Sequence, residues 1–274
     1  MKQRTLHLDG TALVLGASSG FGAAAAKRLA EAGCDVVGVH LDLRSSAHRA
    51  ELVKQHIEQL GRHARFHNVN AADRRRVNEV LDELSDKHAA QREGESTPPV
   101  RVLLHSLAFG TLLPYVQRPE GGPVMSARQL AMTCDVMAHS LVMWVQGLVE
   151  RDLIGDGSRI FAMTSPGSSS VWHGYGAVGA AKSALEAHVR QLAVELAPRG
   201  ITVNALCAGV TETPALEQIP EHELMAQIAR RKNPHGRLTR PEDVASAIVA
   251  LAQPQTYWLN GNVIHVDGGE AIAG

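Results

Sequence analysis

The sharpest chemical signal in the chain is the run Gly16-Ala17-Ser18-Ser19-Gly20-Phe21-Gly22, which follows an apolar stretch and opens an Ala-rich helical pattern. Glycines let a backbone approach a pyrophosphate closely. A helix N-terminus adds N–H donors and the positive end of the helix dipole. The spacing is G-x-x-x-G-x-G rather than the more frequent G-x-G-x-x-G. A Gly-rich turn can also serve packing alone, but at the first strand of an alternating strand–helix chain it points to a dinucleotide. Tyr175 and Lys182 form a second constellation. Seven residues are close to two helical turns, so both side chains can share one face. On spacing alone, a helix-start surface tyrosine and a solvated lysine account for the pair better than a catalytic one does. No His/Cys/Asp cluster has metal-ligand spacing, and no Ser-His-Asp order stands out. Metal and hydrolase chemistry are therefore not expected.

The elements that must position these residues alternate along the whole chain. Strand-like runs occur at Ala12–Leu15, Val36–His40, Ala64–Asn68, Val100–His105, Arg159–Thr164, Thr202–Leu206 and Val263–Val266. Helical patterns at Phe21–Ala32, Ala47–Leu60, Ala71–His88, Ser126–Glu150, Tyr175–Leu196 and Pro241–Ala252 lie between them. Gln91–Pro99 is polar, carries Ser-Thr-Pro-Pro and reads as a surface loop. Continuous apolar strands between amphipathic helices indicate a parallel sheet buried on both faces. The expected fold is α/β: a single-domain, Rossmann-like, doubly wound seven-stranded parallel sheet spanning residues 1–274.

Composition narrows the function. The chain has 274 residues, with Lys+Arg at 27 and Asp+Glu at 28, so its net charge is -1. Nucleic-acid binders usually carry a basic excess, and none is present. Hydrophobic residues at 45% provide for a sizeable core, while aromatics at 4% leave it to Ala, Val, Leu and Ile. Cys34, Cys134 and Cys207 sit in apolar settings without pairing or metal spacing, which fits reduced thiols in the cytoplasm. The apolar run Thr11–Ala17 near the start is broken at once by Ser and Gly, unlike a secretory leader. Ala131–Val149 contains Asp135 and His139, falls short of a membrane span and reads as a buried interface helix.

Read together, these motifs resemble the short-chain dehydrogenase/reductase family over nearly the whole chain. The matching features are GASSGFG, with Leu15 where the family usually has Thr, and Asn68-Val69 after the third strand. Further matches are Val203-Asn204-Ala205, Gly236-Arg237 with Pro241-Glu242-Asp243-Val244-Ala245, and Val266-Asp267-Gly268-Gly269. The family usually places its catalytic Tyr four residues before the Lys, but position 178 is Val. Tyr175-x6-Lys182 instead resembles the enoyl-acyl-carrier-protein reductase branch. His105-Ser106-Leu107-Ala108-Phe109 and Cys207-Ala208-Gly209 point the same way. Two departures stand out. Met137 occupies the usual active-site Asn position, and Ser165 stands where many enoyl reductases carry a second Tyr. Ser there coincides with the active-site serine of the wider family.

The resemblance implies roles. Tyr175 would donate to an enolate oxygen like an oxyanion-hole group. Lys182 would hold the nicotinamide ribose and favour the charged transition state. Ser165 would add a second donor to the substrate oxygen, or merely hydrogen-bond locally. Cofactor contacts are implied for Gly16, Ser18, Ser19, Gly20, Phe21, Gly22, Asn68, Val69, Ser106, Leu107, Lys182, Thr211 and Thr213. The acidic residue that reads the adenosine ribose in NAD-binding relatives aligns with His40, followed by Asp42 and Arg44. His40 and Arg44 tolerate a 2′-phosphate and favour NADPH. Asp42 repels one, unless Asp42 and Arg44 simply pair on the surface; the expected cofactor is NADPH, with NADH as the alternative. His105 is expected to fill a strand end beside the cofactor, and His173 to be an ordinary surface residue.

A substrate lid is implied at about 211–235, where Ala215, Leu216, Ile219, Leu224, Met225 and Ile228 are spaced as one apolar helix face. That face fits an acyl chain, the core or a subunit contact. The expected activity is NAD(P)H-dependent reduction of the 2,3-double bond of an enoyl thioester, carrier-bound or small, by a cytoplasmic homotetramer. The implied tetramer packs through the helices near Ser126–Glu150 and Tyr175–Leu196, with no membrane or nucleic-acid partner. Two rivals stand beside it: a ketone reductase or alcohol dehydrogenase with a shifted Tyr, and a non-catalytic dinucleotide sensor.

Overall fold

Seven strands follow the apolar runs of the sequence: β1 (Thr11–Leu15), β2 (Asp35–His40), β3 (Ala64–Asn68), β4 (Val100–His105), β5 (Arg159–Thr164), β6 (Thr202–Ala208) and β7 (Val263–Val266). They appear in a computed structural model that describes residues 6–91 and 99–273. Positions 92–98 of the expected surface loop lie outside the described residues, as do residues 1–5 and 274. All pairings are parallel, in the order β3-β2-β1-β4-β5-β6-β7. The chain winds outward from β1 to β3, then returns to lay β4 on the other side of β1. Leu15 lies opposite His105 at the carboxyl ends of these two neighbours. Gly16 and Ser106 therefore leave the sheet side by side at the switch point, where open α/β sheets bind ligands.

Successive strand side chains point to opposite faces, and helices cover both. On one face Leu13, Leu103, Ile160 and Val203 pack against α3 (Arg74–Gln91), α5 (Ser140–Glu150) and α6 (Gly176–Leu196). On the other, Val14, Leu104, Phe161 and Leu206 meet α1 (Gly20–Glu31), α2 (His48–Gln59) and α8 (Pro241–Leu251). Fully burying one Leu or Phe side chain contributes about 1.5–3 kcal/mol. Burial on both faces explains why the interiors of β1 and β5 read as apolar runs, and why β4 and β6 do so but for Arg101 and Asn204. Alanines on α1 allow it to pack closely against α8. Trp144 is fully buried on α5, and its indole N–H donates to the Ala71 carbonyl at 2.9 Å.

Two expectations change. The pattern Ser126–Glu150 is not one regular helix: α4 (Ala127–Cys134) passes into a π turn, Asp135–His139, before α5, whose Leu141, Trp144, Val145 and Leu148 join the core. And α3 starts at Arg74 rather than Ala71, because the Asp73 carboxylate accepts from the Arg75 and Arg76 N–H groups and caps it there. Among the described residues no helix is long and apolar enough to cross a membrane.

Candidate active site

The β1–α1 turn forms a cradle of backbone. Gly16 has φ +92°, and a side chain there would run into the Ser106 carbonyl. A Cβ on Gly22 would run into the Gly16 carbonyl. Gly22 thus supports the loop from beneath, whereas Gly16, Ser18, Ser19, Gly20 and Phe21 line a cavity of about 1060 Å³. Ser19 caps α1 with extended backbone and makes no side-chain cap bond, leaving the first-turn N–H groups to another acceptor. A loop whose Gly16 and Gly22 admit no Cβ, backed by a helix N-terminus, fits a pyrophosphate.

The end of β2 forms one flank of the cavity. His40 Nδ1 lies 2.8 Å from Asp42 Oδ2, and the Ser46 hydroxyl donates to Asp42 Oδ1 at 3.0 Å. Asn68 turns its amide to the Asp42 backbone, accepting from its N–H at 2.9 Å and donating to its carbonyl at 3.0 Å. Asn68 therefore holds Asp42 in place rather than lining the cavity, while Val69, His40 and Asp42 do line it. Arg44 is exposed and outside the lining; Arg49, in the first turn of α2, takes the wall position instead.

Tyr175 is the N-cap residue of α6. Its hydroxyl donates to Ser165 Oγ at 3.3 Å, and the same oxygen accepts from the Gly167 N–H at 3.1 Å. Ser165 thus receives two bonds, leaving its own proton for a ligand oxygen. Gly167 must lack a side chain, because the Tyr175 ring lies against it. Burial raises the Tyr175 pKa against the opposing hydrogen bond with Ser165, so the phenol stays a donor at neutral pH. Two turns on, Lys182 is buried and donates to the carbonyls of Met163 at 2.7 Å and Leu107 at 3.4 Å. Desolvation lowers its pKa to about 8, with Glu186 opposing. The shared face expected for Tyr175 and Lys182 is realised, and both line the cavity with Ser165, Ser106 and Leu107.

His105 lies behind this wall rather than in it. Its Nε2 is 2.8 Å from Ser140 Oγ, and Ser140 donates to the Val136 carbonyl at 2.7 Å. The ring therefore fastens the end of β4 to the π turn that carries Met137 to the cavity. Burial first, then the Lys182 charge, pulls its pKa to about 3, so it stays neutral. His173 is exposed and outside the lining.

Across from the glycine loop, Thr211 and Thr213 line the cavity, and the Thr213 methyl faces Gly20. The following segment is not one apolar helix. A 3₁₀ turn at Leu216–Gln218 ends before Pro220, Glu221 takes φ +60°, and α7 (His222–Lys232) starts afresh. Leu216, Ile219, Met225 and Ile228 line the cavity, whereas Leu224 does not. With Leu112, Met132, Val136 and Met137 they make that end apolar.

Sequence reasoning missed three residues here. Arg49 was legible as a cation in the first turn after β2, at the crevice edge. Trp172 lines the cavity and donates its indole N–H to the Pro220 carbonyl at 3.1 Å, joining the loop before α6 to the lid-like segment. Glu270 also lines the cavity and accepts from the Val210 N–H at 3.2 Å, its pKa raised by burial. No local pattern marked either of these two. Among the described residues no group of three or more His, Cys, Asp or Glu could hold a metal ion.

Comparisons with known proteins agree with this geometry. Residues 16–270 match a family model described as Enoyl-(Acyl carrier protein) reductase. The chain is 31% identical to a 3-oxoacyl-[acyl-carrier-protein] reductase of Aggregatibacter actinomycetemcomitans, over 94% of this chain and 98% of that one. It is 29% identical to an NADH-dependent enoyl-[acyl-carrier-protein] reductase of Aquifex aeolicus, over 63% of each. Among solved structures, a short-chain dehydrogenase of Burkholderia cenocepacia in complex with NADP superposes with a TM-score of 0.80 at 27% identity, covering 98% of this chain and 100% of that chain. The Aquifex enoyl reductase structure shares the fold, with a TM-score of 0.81 at 22% identity over 98% of this chain and 99% of that one.

Proposed function

Because the chain belongs to the short-chain dehydrogenase/reductase family of oxidoreductases, we propose that it reduces the 2,3-double bond of an enoyl thioester with NADH or NADPH. The observation that carries this is Tyr175 at the mouth of α6, its hydroxyl on Ser165 and its cavity walled by Met137 and other apolar side chains. A bound nicotinamide supplies the hydride. The Gly16–Phe21 backbone would hold the pyrophosphate, His40 and Asp42 the adenosine ribose, and Lys182, Ser106, Leu107, Thr211 and Thr213 the nicotinamide half.

The remaining chemistry belongs to the chain. As the β-carbon becomes saturated, negative charge develops on the thioester oxygen. Tyr175, kept protonated by burial, turns its O–H from Ser165 to that oxygen, and the Ser165 hydroxyl supplies a second donor. Lys182, in its charged form, adds positive potential from behind the site. The enolate then takes one proton at its α-carbon from the Tyr175 hydroxyl or from solvent, and solvent restores any proton that Tyr175 gives up. The Leu216, Ile219, Met225 and Ile228 side chains fit an acyl chain and exclude water from it.

One observation favours a second reading. The 3-oxoacyl relative matches almost end to end, whereas the enoyl relative matches over 63% of this chain. Ser165 hydrogen-bonded to Tyr175 also suits reduction of a carbonyl to an alcohol. Cofactor oxidation with crotonyl-CoA and acetoacetyl-CoA, each with NADH and NADPH, separates the two. Turnover of the crotonyl compound alone supports enoyl reduction; turnover of the acetoacetyl compound alone replaces it with ketone reduction. Turnover of neither, with dinucleotide still bound, leaves the sensor.

A further inference from the structure

The adenosine flank contains a largely buried hydrogen bond between His40 and Asp42. Asp42 spends both carboxylate oxygens inside the protein, one on His40 at 2.8 Å and one on the Ser46 hydroxyl at 3.0 Å. The side chains of His40 and Asp42 are only 6% and 12% exposed, yet both residues line the cavity. A carboxylate can only accept, so Nδ1 of His40 carries its proton toward Asp42. Nε2 is then the ring nitrogen left without a protein partner among the described residues. Arg49 reaches the same wall and has no ion-pair partner among the described residues.

The two forms of His40 offer opposite chemistry at Nε2. Neutral imidazole presents a lone pair, which accepts from a ribose 2′-hydroxyl. Imidazolium presents an N–H and cancels the Asp42 charge, which suits a 2′-phosphate beside the Arg49 guanidinium. We infer that the protonation of His40 sets which dinucleotide this chain prefers, NADP(H) when charged and NAD(H) when neutral. Asp42 serves as its positioning partner and Arg49 as the fixed phosphate contact. Asp42 after β2 bonds His40, the charge of His40 acts on His67 of β3, whose own affinity for a proton is lowered chiefly by burial, and Arg49 on α2 lines the same cavity. The inference rests on dinucleotide binding at this cavity but not on the acyl substrate.

Calorimetric binding of NAD+ and NADP+ to the whole chain, at about pH 6 and about pH 8.5, tests it without any turnover. The preference for NADP+ over NAD+ is expected to fall about tenfold across that range, the scale of one charge-assisted hydrogen bond. His40→Gln keeps a polar side chain but cannot titrate. It should flatten the ratio, leaving only the slope of the phosphate's own ionisation near pH 6. Arg49→Gln, on an exposed position, should weaken NADP+ about tenfold at both pH values and NAD+ less than about twofold. A pH-independent ratio in the wild type, an equal slope in His40→Gln, or equal losses for both dinucleotides in Arg49→Gln would overturn the inference. Binding of neither dinucleotide would overturn the dinucleotide site and the inference together. Normal binding without enoyl turnover would sink only the proposed reaction.

Discussion

The two ends of the cavity are made of different material. At the β1–α1 turn the wall is main chain: glycines that admit no Cβ, and a helix start without a side-chain cap. At the α6 end it is side chain: Tyr175 on Ser165, and Lys182 buried against the carbonyls of β4 and β5. A backbone wall grips whatever carries phosphate, largely independent of pH. A side-chain wall can be charged, neutralised or deleted one group at a time. Binding and chemistry should therefore separate cleanly by mutation.

The separation can be broken most forcefully at Tyr175. Tyr175→Phe removes one donor and little volume, so turnover should fall about 10²–10³-fold with dinucleotide affinity nearly unchanged. If calorimetry shows affinity falling in parallel, the two ends are not independent. Next comes the charge of Lys182. Burial holds its pKa near 8, below the ordinary lysine value, so the ammonium is present below that pH and lost above it. A kcat/KM profile, which reports the free enzyme, should fall about tenfold per pH unit beyond about 8; a flat profile to pH 10 would remove Lys182 from the chemistry. The smallest of the three effects lies at the cradle. Gly22→Ala pushes a methyl toward the Gly16 carbonyl, a strain of about 1–3 kcal/mol. It should weaken both dinucleotides about tenfold while leaving the Tyr175 ionisation, read by ultraviolet difference titration, where it was.

The same contrast explains what the sequence made legible. The cradle could be read directly, because glycine spacing after an apolar strand encodes backbone shape locally. The central strands were equally plain, since burial on both faces writes itself as apolar runs, as in β1 and β5. Tyr175 and Lys182 needed only helix periodicity and the family pattern. Other features depend on what tertiary packing brings together. Arg49 rather than Arg44 reaches the cavity because α2 starts at the crevice edge. Pro220 and Glu221 split an apolar pattern that periodicity joined into one helix. Trp172 meets Pro220 across 48 residues of chain, and nothing near either residue announces it.

The π turn at Asp135–His139 has a consequence for how this chain tolerates length changes. A π turn holds one residue more than the α-helix around it would need, and each residue advances a helix by about 100°. The surplus residue acts as a phase shifter between α4 and α5. Downstream of it, Leu141, Trp144 and Leu148 keep step with the sheet. At the turn itself, Met137 falls in with Val178 and Ala181 beside the cavity. Removing a single residue here would relax the coil to a plain helix and put the two faces out of register. One side would have to give up either its core or its cavity wall. The segment is thus a local reading frame, in which substitutions cost a contact but a one-residue deletion costs a surface.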